Sequence, residues 1–161
     1  MGEKMTRIMF VCHGNICRSP TAEFIFRDML KRKGLEDRFT VDSSATSTEE
    51  IWNGVGNPVY PPAREELARH GLSCEGKRAV QVTKADYDRY DWLICMDSNN
   101  VRNLLRILGG DPDGKVHKLM DYTDRGGDVA DPWYCGHFDI TYRDICEGCE
   151  ALLNDLLNNQ R

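Results

Sequence analysis

The sequence predicts an α/β fold: one three-layer domain in which a four-stranded parallel sheet, with strand order 2-1-3-4, has helices on both faces. Short apolar segments of strand length alternate with longer amphipathic segments along the chain, and several of the amphipathic segments end at a glycine. This alternation is typical of right-handed β-α-β units, which place helices on both sides of a parallel sheet. The 161 residues, of which 40% are hydrophobic, are enough for one core, and we expect a single domain over residues 1–161.

The strand segments are short and apolar, and they cover residues 7–11, 39–42, 92–96 and 116–120. The helical segments place apolar residues on one side, and they cover residues 20–33, 61–70, 99–108 and 140–157. The first helix is expected to begin with Ser19 as its cap and Pro20 as its first residue. A brief turn at residues 83–87 is expected to have Thr83 as its cap.

The loop between the first strand and the first helix has the composition of a phosphate cradle with its own nucleophile. It reads Cys12-His13-Gly14-Asn15-Ile16-Cys17-Arg18-Ser19. An anion is favoured there by the backbone N–H groups of residues 13–18 and by the positive end of the helix. The planar guanidinium of Arg18 can bind two phosphate oxygens at once. The same positive field favours the thiolate of Cys12 over the thiol. Gly14 permits the tight turn, and Asn15 tolerates a left-handed conformation.

The other polar motifs are expected at the same edge of the sheet as this loop. Cys12 follows the first strand, Ser43 the second and Asp97 the third. Ligands bind beyond the carboxyl ends of the strands in parallel sheets. Asp131, in the connection between the fourth strand and the last helix, is expected to fold over that edge.

Four separated motifs resemble the low-molecular-weight protein tyrosine phosphatases, in the order that this family has them. They are V-C-H-G-N-I-C-R-S-P from Val11, Val41-Asp42-Ser43, the segment that begins Cys95-Met96-Asp97, and Asp131-Pro132-Trp133-Tyr134. The resemblance covers essentially the whole chain. It implies hydrolysis of phosphotyrosine through a phosphocysteine intermediate.

The resemblance and the chemistry of the residues together assign roles. Cys12 is the predicted nucleophile, Arg18 the phosphate clamp and Asp131 the general acid and base. Ser19 is expected to donate its hydroxyl to the Cys12 thiolate, in addition to capping the helix. The predicted phosphate loop consists of His13, Gly14, Asn15, Ile16, Cys17 and Ser19. Ser43 is expected to support that loop, and Trp52, Trp133 and Tyr134 are expected to line the substrate pocket.

The sequence departs from the family pattern at several positions that bear on specificity. His13 stands where relatives more often carry a small or aliphatic residue, and residues 52–55 resemble a short insertion. Lys77 lies near the place where some relatives have a histidine that supports the loop asparagine. None of these changes affects Cys12, Arg18 or Asp131.

Composition limits the partners and the compartment that we expect. The formal net charge of −5 provides no basic surface for nucleic acid, and no apolar run approaches the length of a membrane span. Seven cysteines without an export signal favour a reducing compartment, so we expect a cytoplasmic monomer acting on phosphotyrosine-containing proteins or small aryl phosphates. No metal or other cofactor is expected, because Cys146 and Cys149 lack two further ligands and fit a packed helix face better than zinc.

Three alternatives stay open at this point. An arsenate reductase can share this fold and loop, although the expected extra cysteine pair is absent from residues 101–114. A phosphoarginine phosphatase would use the same cysteine and arginine, and a phosphate-binding module would need no acid. We also expect that Cys17 can form a disulfide with an oxidised Cys12, which would make the site redox-sensitive.

Overall fold

The computed structural model describes residues 5–132 and 136–159 of the chain. Four parallel strands form a sheet with the order β2-β1-β5-β6. Counted among these four strands, this is the predicted order 2-1-3-4, and the predicted α/β class is confirmed. The strands are β1 (Thr6–Cys12), β2 (Phe39–Ala45), β5 (Trp92–Cys95) and β6 (Val116–Lys118).

Helices cover both faces of the sheet because the buried side chains of β1 alternate between two cores. Ile8, Phe10 and Cys12 face the larger core, whereas Met9 and Val11 face a smaller core that contains side chains of α4. The larger core contains side chains of α1, α2 and α5. The helices are α1 (Arg18–Arg32), α2 (Pro61–Arg69), α3 (Asp86–Arg89), α4 (Ser98–Leu108) and α5 (Phe138–Asn159). Within the described ranges, no helix is long and apolar enough to cross a membrane.

A small hairpin lies at the predicted insertion and interrupts the connection between β2 and α2. Its strands are β3 (Ile51–Trp52) and β4 (Val55–Gly56). Asn53 and Gly54 both have positive φ, at 50° and 77°, which is the conformation of a two-residue type I′ turn. A Cβ atom at Gly56 would lie 1.9 Å from the carbonyl oxygen of Ala79, so this contact requires glycine.

The predicted helix start at Ser19-Pro20 is wrong. Helix α1 begins at Arg18, and Cys17 occupies the capping position without a side-chain hydrogen bond. The Ser19 hydroxyl lies 3.0 Å from the Cys12 sulfur instead. The loop curls so tightly that the first helical turn lies under the sulfur, and Ser19 is therefore directed towards the site rather than towards the helix N–H groups.

Other boundaries also differ from the prediction. Strand β2 extends to Ala45, so Ser43 lies within it rather than after it, and Cys12 is the last residue of β1. Thr83 does not cap the short helix α3, whose capping position is Ala85, and the Thr83 N–H instead donates to Asp86 at 2.8 Å. The fourth strand ends at Lys118 because the next residues form a 3-10 turn, Leu119–Tyr122. Leu119 packs so closely on Gly148 of α5 that a Cβ atom there would lie 2.5 Å from its side chain. Packing against α5, rather than strand pairing, buries the end of this apolar segment.

Candidate active site

The predicted phosphate loop joins the central strand β1 to α1 and curls around the Cys12 sulfur. Asn15 has a φ of 59°, which is the left-handed conformation expected for it. The backbone N–H groups of Asn15 and Ser19 donate to Cys12 Sγ at 3.3 and 3.4 Å. Cys12 is only 3% exposed, yet it lines a cleft of about 790 Å³. The predicted nucleophile is thus sheltered but open to a ligand that enters the cleft.

A buried chain of hydrogen bonds connects Glu23 to the Ser19 hydroxyl. Ser43 Oγ donates to Glu23 Oε1 at 2.6 Å. The side-chain amide of Asn15 then donates to both Ser43 Oγ and Ser19 Oγ, each at 2.9 Å. Since Ser19 accepts that bond, its own hydrogen is available to donate, and the Cys12 sulfur at 3.0 Å is a nearer acceptor than the Ser44 carbonyl oxygen at 3.4 Å.

Lys77, which lies near the position where some relatives are expected to have a supporting histidine, contacts the same chain of hydrogen bonds. Its Nζ donates to the Ser43 carbonyl oxygen at 2.9 Å and lies 3.6 Å from Glu23 Oε1. Burial lowers the pKa of Lys77, and the charge of Glu23 opposes that change. The Val80 N–H donates to Asn15 Oδ1 at 3.0 Å and completes the bonding of the Asn15 amide.

Glu23 was missed by the sequence analysis, although a signal for it was present. Glu23 is 3% exposed and lies on the buried side of α1, in step with Ser19, Phe26 and Leu30. A carboxylate at a core position of an amphipathic helix needs a polar partner, and such a position indicates a buried network.

Arg18 connects the loop to two carboxylates. Its Nη2 lies 2.9 Å from Asp97 and 3.6 Å from Asp131, and its Nη1 donates to the Val129 carbonyl oxygen at 3.2 Å. Burial alone would lower the pKa of Arg18, but the charges of Cys12, Asp97 and Asp131 outweigh it and raise the pKa above its usual value. The guanidinium is therefore charged and held in one orientation beside the sulfur.

Asp97 lies at the predicted edge of the sheet beside the phosphate loop, but its ion pair with Arg18 was not predicted. Its carboxylate accepts the Asn100 N–H at 2.7 Å and caps α4, while the Asn100 side chain accepts the Asp97 N–H in return. The other carboxylate oxygen pairs with Arg18. Its place after the third strand was the available signal, since that is where parallel sheets put functional side chains.

The remaining predicted residues are only partly brought together. His13, Gly14, Ile16, Cys17 and Asp131 line the same cleft as Cys12 and Arg18. His13 pairs with Glu49 at 3.0 Å on the rim. Burial, followed by the charge of Cys12, raises the pKa of the Cys17 thiol.

Of the three aromatic residues predicted to line the pocket, Trp52 lies within the described residues. Trp52 is 78% exposed, and the cleft-lining residues at this side are Glu49 and Glu50 instead. Trp52 belongs to the hairpin strand β3 and is not among the residues that line the cleft. Trp133 and Tyr134 lie outside the described residues.

Metal-ligating side chains are not clustered in the part of the chain that the structure describes. No group of three or more His, Cys, Asp or Glu side chains there is placed to hold a metal ion. Cys149 is buried against the backbone of α1, with its sulfur 3.8 Å from the Ala22 carbonyl oxygen, whereas Cys146 is half-buried. Cys149 is therefore a packing residue between α5 and α1.

Residues 7–161 match the family model described as low molecular weight phosphotyrosine protein phosphatase. The chain belongs to this family. A low molecular weight protein-tyrosine-phosphatase of Bacillus subtilis, YfkJ, is 40% identical over 151 residues, covering 92% of this chain and 94% of the relative. The pig low molecular weight phosphotyrosine protein phosphatase is 36% identical over 159 residues, covering 95% of this chain and 98% of the relative. The crystal structure of YfkJ superposes with a TM-score of 0.92 at 37% identity, covering 100% of both chains.

Membership in the low molecular weight phosphotyrosine phosphatases confirms the predicted family and class of reaction. The protein is a cysteine-dependent phosphatase, a hydrolase of phosphoric monoesters.

Proposed function

We propose that the protein hydrolyses phosphotyrosine with Cys12 as nucleophile, Arg18 as phosphate clamp and Asp131 as general acid and base. One observation carries the proposal: the sulfur, the guanidinium and the carboxylate line a single cleft, with Arg18 and Asp131 3.6 Å apart. The substrates are phosphotyrosine-containing proteins or small aryl phosphates.

In the first step, the Cys12 thiolate attacks phosphorus while the P–O bond to the tyrosine oxygen breaks. Backbone N–H groups of the loop and Arg18 hold the phosphoryl oxygens, whose charge is largest in the transition state. Asp131 donates its proton to the departing phenolate, and such a donor typically contributes about 10²- to 10⁴-fold in rate. The product of this step is a phosphocysteine and a free tyrosine side chain.

In the second step, water attacks the phosphocysteine and Asp131 takes a proton from it. The S–P bond breaks, and its electron pair returns to the Cys12 sulfur. The Ser19 hydroxyl, 3.0 Å from that sulfur, stabilises the returning negative charge. Inorganic phosphate leaves and the enzyme is regenerated.

Kinetic comparison of two substrates tests these roles. Cys12→Ser should abolish release of p-nitrophenol from p-nitrophenyl phosphate. Asp131→Ala should slow the hydrolysis of phenyl phosphate, a poor leaving group, far more than that of p-nitrophenyl phosphate. Asp124→Ala is the matched control, because Asp124 is an exposed carboxylate in the same connection. Equal losses on both substrates in Asp131→Ala would refute the role of Asp131 as proton donor.

The open alternatives are separated by direct assays. Phosphotyrosyl and phosphoarginyl peptides of the same sequence are compared by kcat/KM, and we expect the phosphotyrosyl peptide to be preferred. A thioredoxin-coupled arsenate assay tests the reductase alternative, and we expect no turnover there. Phosphatase activity should persist in EDTA, because Arg18 and the loop N–H groups neutralise the phosphate.

We further propose that the protein acts as a monomer in the cytoplasm. Six cysteines in the described ranges are free thiols, which fits a reducing compartment. Sedimentation at micromolar concentration tests the oligomeric state.

A further inference from the structure

We propose that Asp144 on α5 is a positioning residue that holds the backbone on which Asp131 is carried. The inference rests on the proposed role of Asp131 as general acid. It assigns a task in the reaction to a buried carboxylate outside the cleft.

The backbone before Asp131 is fixed by contacts to several elements. The Val129 N–H donates to the Met96 carbonyl oxygen at 2.9 Å, at the end of β5. The Ala130 N–H donates to Asp144 Oδ2 at 3.1 Å, and the Ala130 carbonyl oxygen accepts from Thr141 Oγ1 at 2.8 Å. Both Asp144 and Thr141 belong to α5.

These two contacts from α5 hold two successive peptide planes. The Ala130 N–H lies in the plane that joins residues 129 and 130, and the Ala130 carbonyl lies in the plane that joins it to Asp131. Because each peptide unit is planar, fixing both planes fixes the position of the Asp131 Cα atom. The carboxylate then reaches the cleft by rotation of its own side chain.

Asp144 is buried, and its carboxylate is both ion-paired and hydrogen-bonded. Asp144 is 4% exposed, and a buried carboxylate is costly unless it is paired and hydrogen-bonded. Arg125 Nη2 donates to its Oδ1 at 2.5 Å. With Oδ1 neutralised in this way, Oδ2 accepts from the Ala130 N–H.

The chain offers a matched control for the ion pair. Arg125 also donates to Glu147 at 2.9 and 3.1 Å, on the exposed side of the guanidinium. Glu147→Gln removes a charge from Arg125 but leaves the contact between Asp144 and Ala130 intact. An effect specific to Asp144 should therefore be absent from this variant.

The test uses the leaving-group dependence of the full-length enzyme, with active sites titrated by the p-nitrophenol burst. Asp144→Ala should lower kcat/KM for phenyl phosphate by about 10- to 100-fold, the size expected when a catalytic group is misplaced by about 1 Å. The kcat/KM for p-nitrophenyl phosphate should fall by less than about 3-fold, because the departure of its leaving group depends little on the acid. Asp144→Asn, which keeps an acceptor for the Ala130 N–H, should recover part of the loss.

A double-mutant cycle identifies the residue through which Asp144 acts. In the Asp131→Ala background, Asp144→Ala should cause no further loss that is specific to phenyl phosphate. If Asp144→Ala does not fold, Thr141→Val removes the other α5 contact to Ala130 with little change of shape, and its loss should show the same leaving-group dependence.

Two results would overturn the inference alone while Asp131→Ala behaves as proposed. One is an equal loss on both substrates, which indicates a purely structural role for Asp144. The other is an undiminished loss in the Asp131→Ala background. If Asp131→Ala itself shows no leaving-group dependence, the proposed acid fails, and the inference fails with it.

Discussion

Replacing Ser19 by alanine removes a side-chain hydroxyl that contacts the Cys12 sulfur. The hydroxyl lies 3.0 Å from Sγ, while the N–H groups of Asn15 and Ser19 also donate to the sulfur and stay in the variant. A hydrogen bond to a charged group contributes about 1.5–3 kcal/mol. The variant should therefore slow the step in which the thiolate departs by about 10- to 150-fold.

The free energy of unfolding should change less in Ser19→Ala than the activation free energy of the step in which the thiolate departs. The Asn15 side-chain amide loses one acceptor in Ser19→Ala but keeps Ser43 Oγ at 2.9 Å. We expect the free energy of unfolding to fall by about 1 kcal/mol, the usual contribution of one neutral hydrogen bond. Urea denaturation measures it.

Stopped-flow mixing with p-nitrophenyl phosphate separates the two chemical steps. Ser19→Ala should release about one equivalent of p-nitrophenol in a fast burst and then turn over slowly, because the phosphocysteine accumulates. Acid quenching should recover the phosphorylated enzyme. Ser44→Ala is the control, since in the described structure the Ser44 hydroxyl is buried without a hydrogen-bond partner. Normal turnover in Ser19→Ala, or slow turnover without a burst, would refute the reasoning.

Three further predictions concern other parts of the molecule. Gly56→Ala should lower the free energy of unfolding by about 1–3 kcal/mol, because its Cβ meets the Ala79 backbone at 1.9 Å; urea denaturation should show little change for the exposed Val55→Ala. Burial and, after it, the hydrogen bond to Asp42 raise the pKa of Tyr90, so the stability that Tyr90 contributes is present below about pH 10 and is lost as the pH rises above it. In the same assay, the free energy of unfolding of Tyr90→Phe should fall less than that of the wild type as the pH is raised above about 10. After limited peroxide, mass spectrometry should detect a disulfide formed when the Cys17 thiol attacks the sulfenic acid of Cys12 and releases water; finding only the Cys12 sulfinate would contradict this.

Local patterns predicted the sheet and the catalytic loop because the necessary information is contiguous. The strand before Cys12, the turn at Gly14 and Asn15, and the helix that follows are all encoded within one short segment. The Asn53-Gly54 turn was also a readable hairpin signal, but its flanking strands are only two residues each and leave almost no alternation to detect.

Tertiary contacts explain what the sequence did not predict. The local sequence Ser19-Pro20 is compatible with a hydroxyl that caps the helix and with one that contacts the Cys12 sulfur. The conformation of the whole loop determines that the second arrangement occurs. Lys77 meets Ser43 across 34 positions of the chain, and Arg125 meets Asp144 across 19. No periodicity in either segment specifies such a pairing.

The central position of β1 has a consequence for the design of inhibitors. Cys12 ends a strand that is paired on both sides, and its carbonyl oxygen accepts the Thr46 N–H at 3.0 Å. The phosphate loop is therefore held rigidly, and a phosphate mimic has to fit it as it stands. We expect compounds that bind this loop alone to discriminate poorly between family members. Groups that reach outward to the pair formed by His13 and Glu49 contact side chains on the rim of the cleft, and we expect selectivity to be gained there.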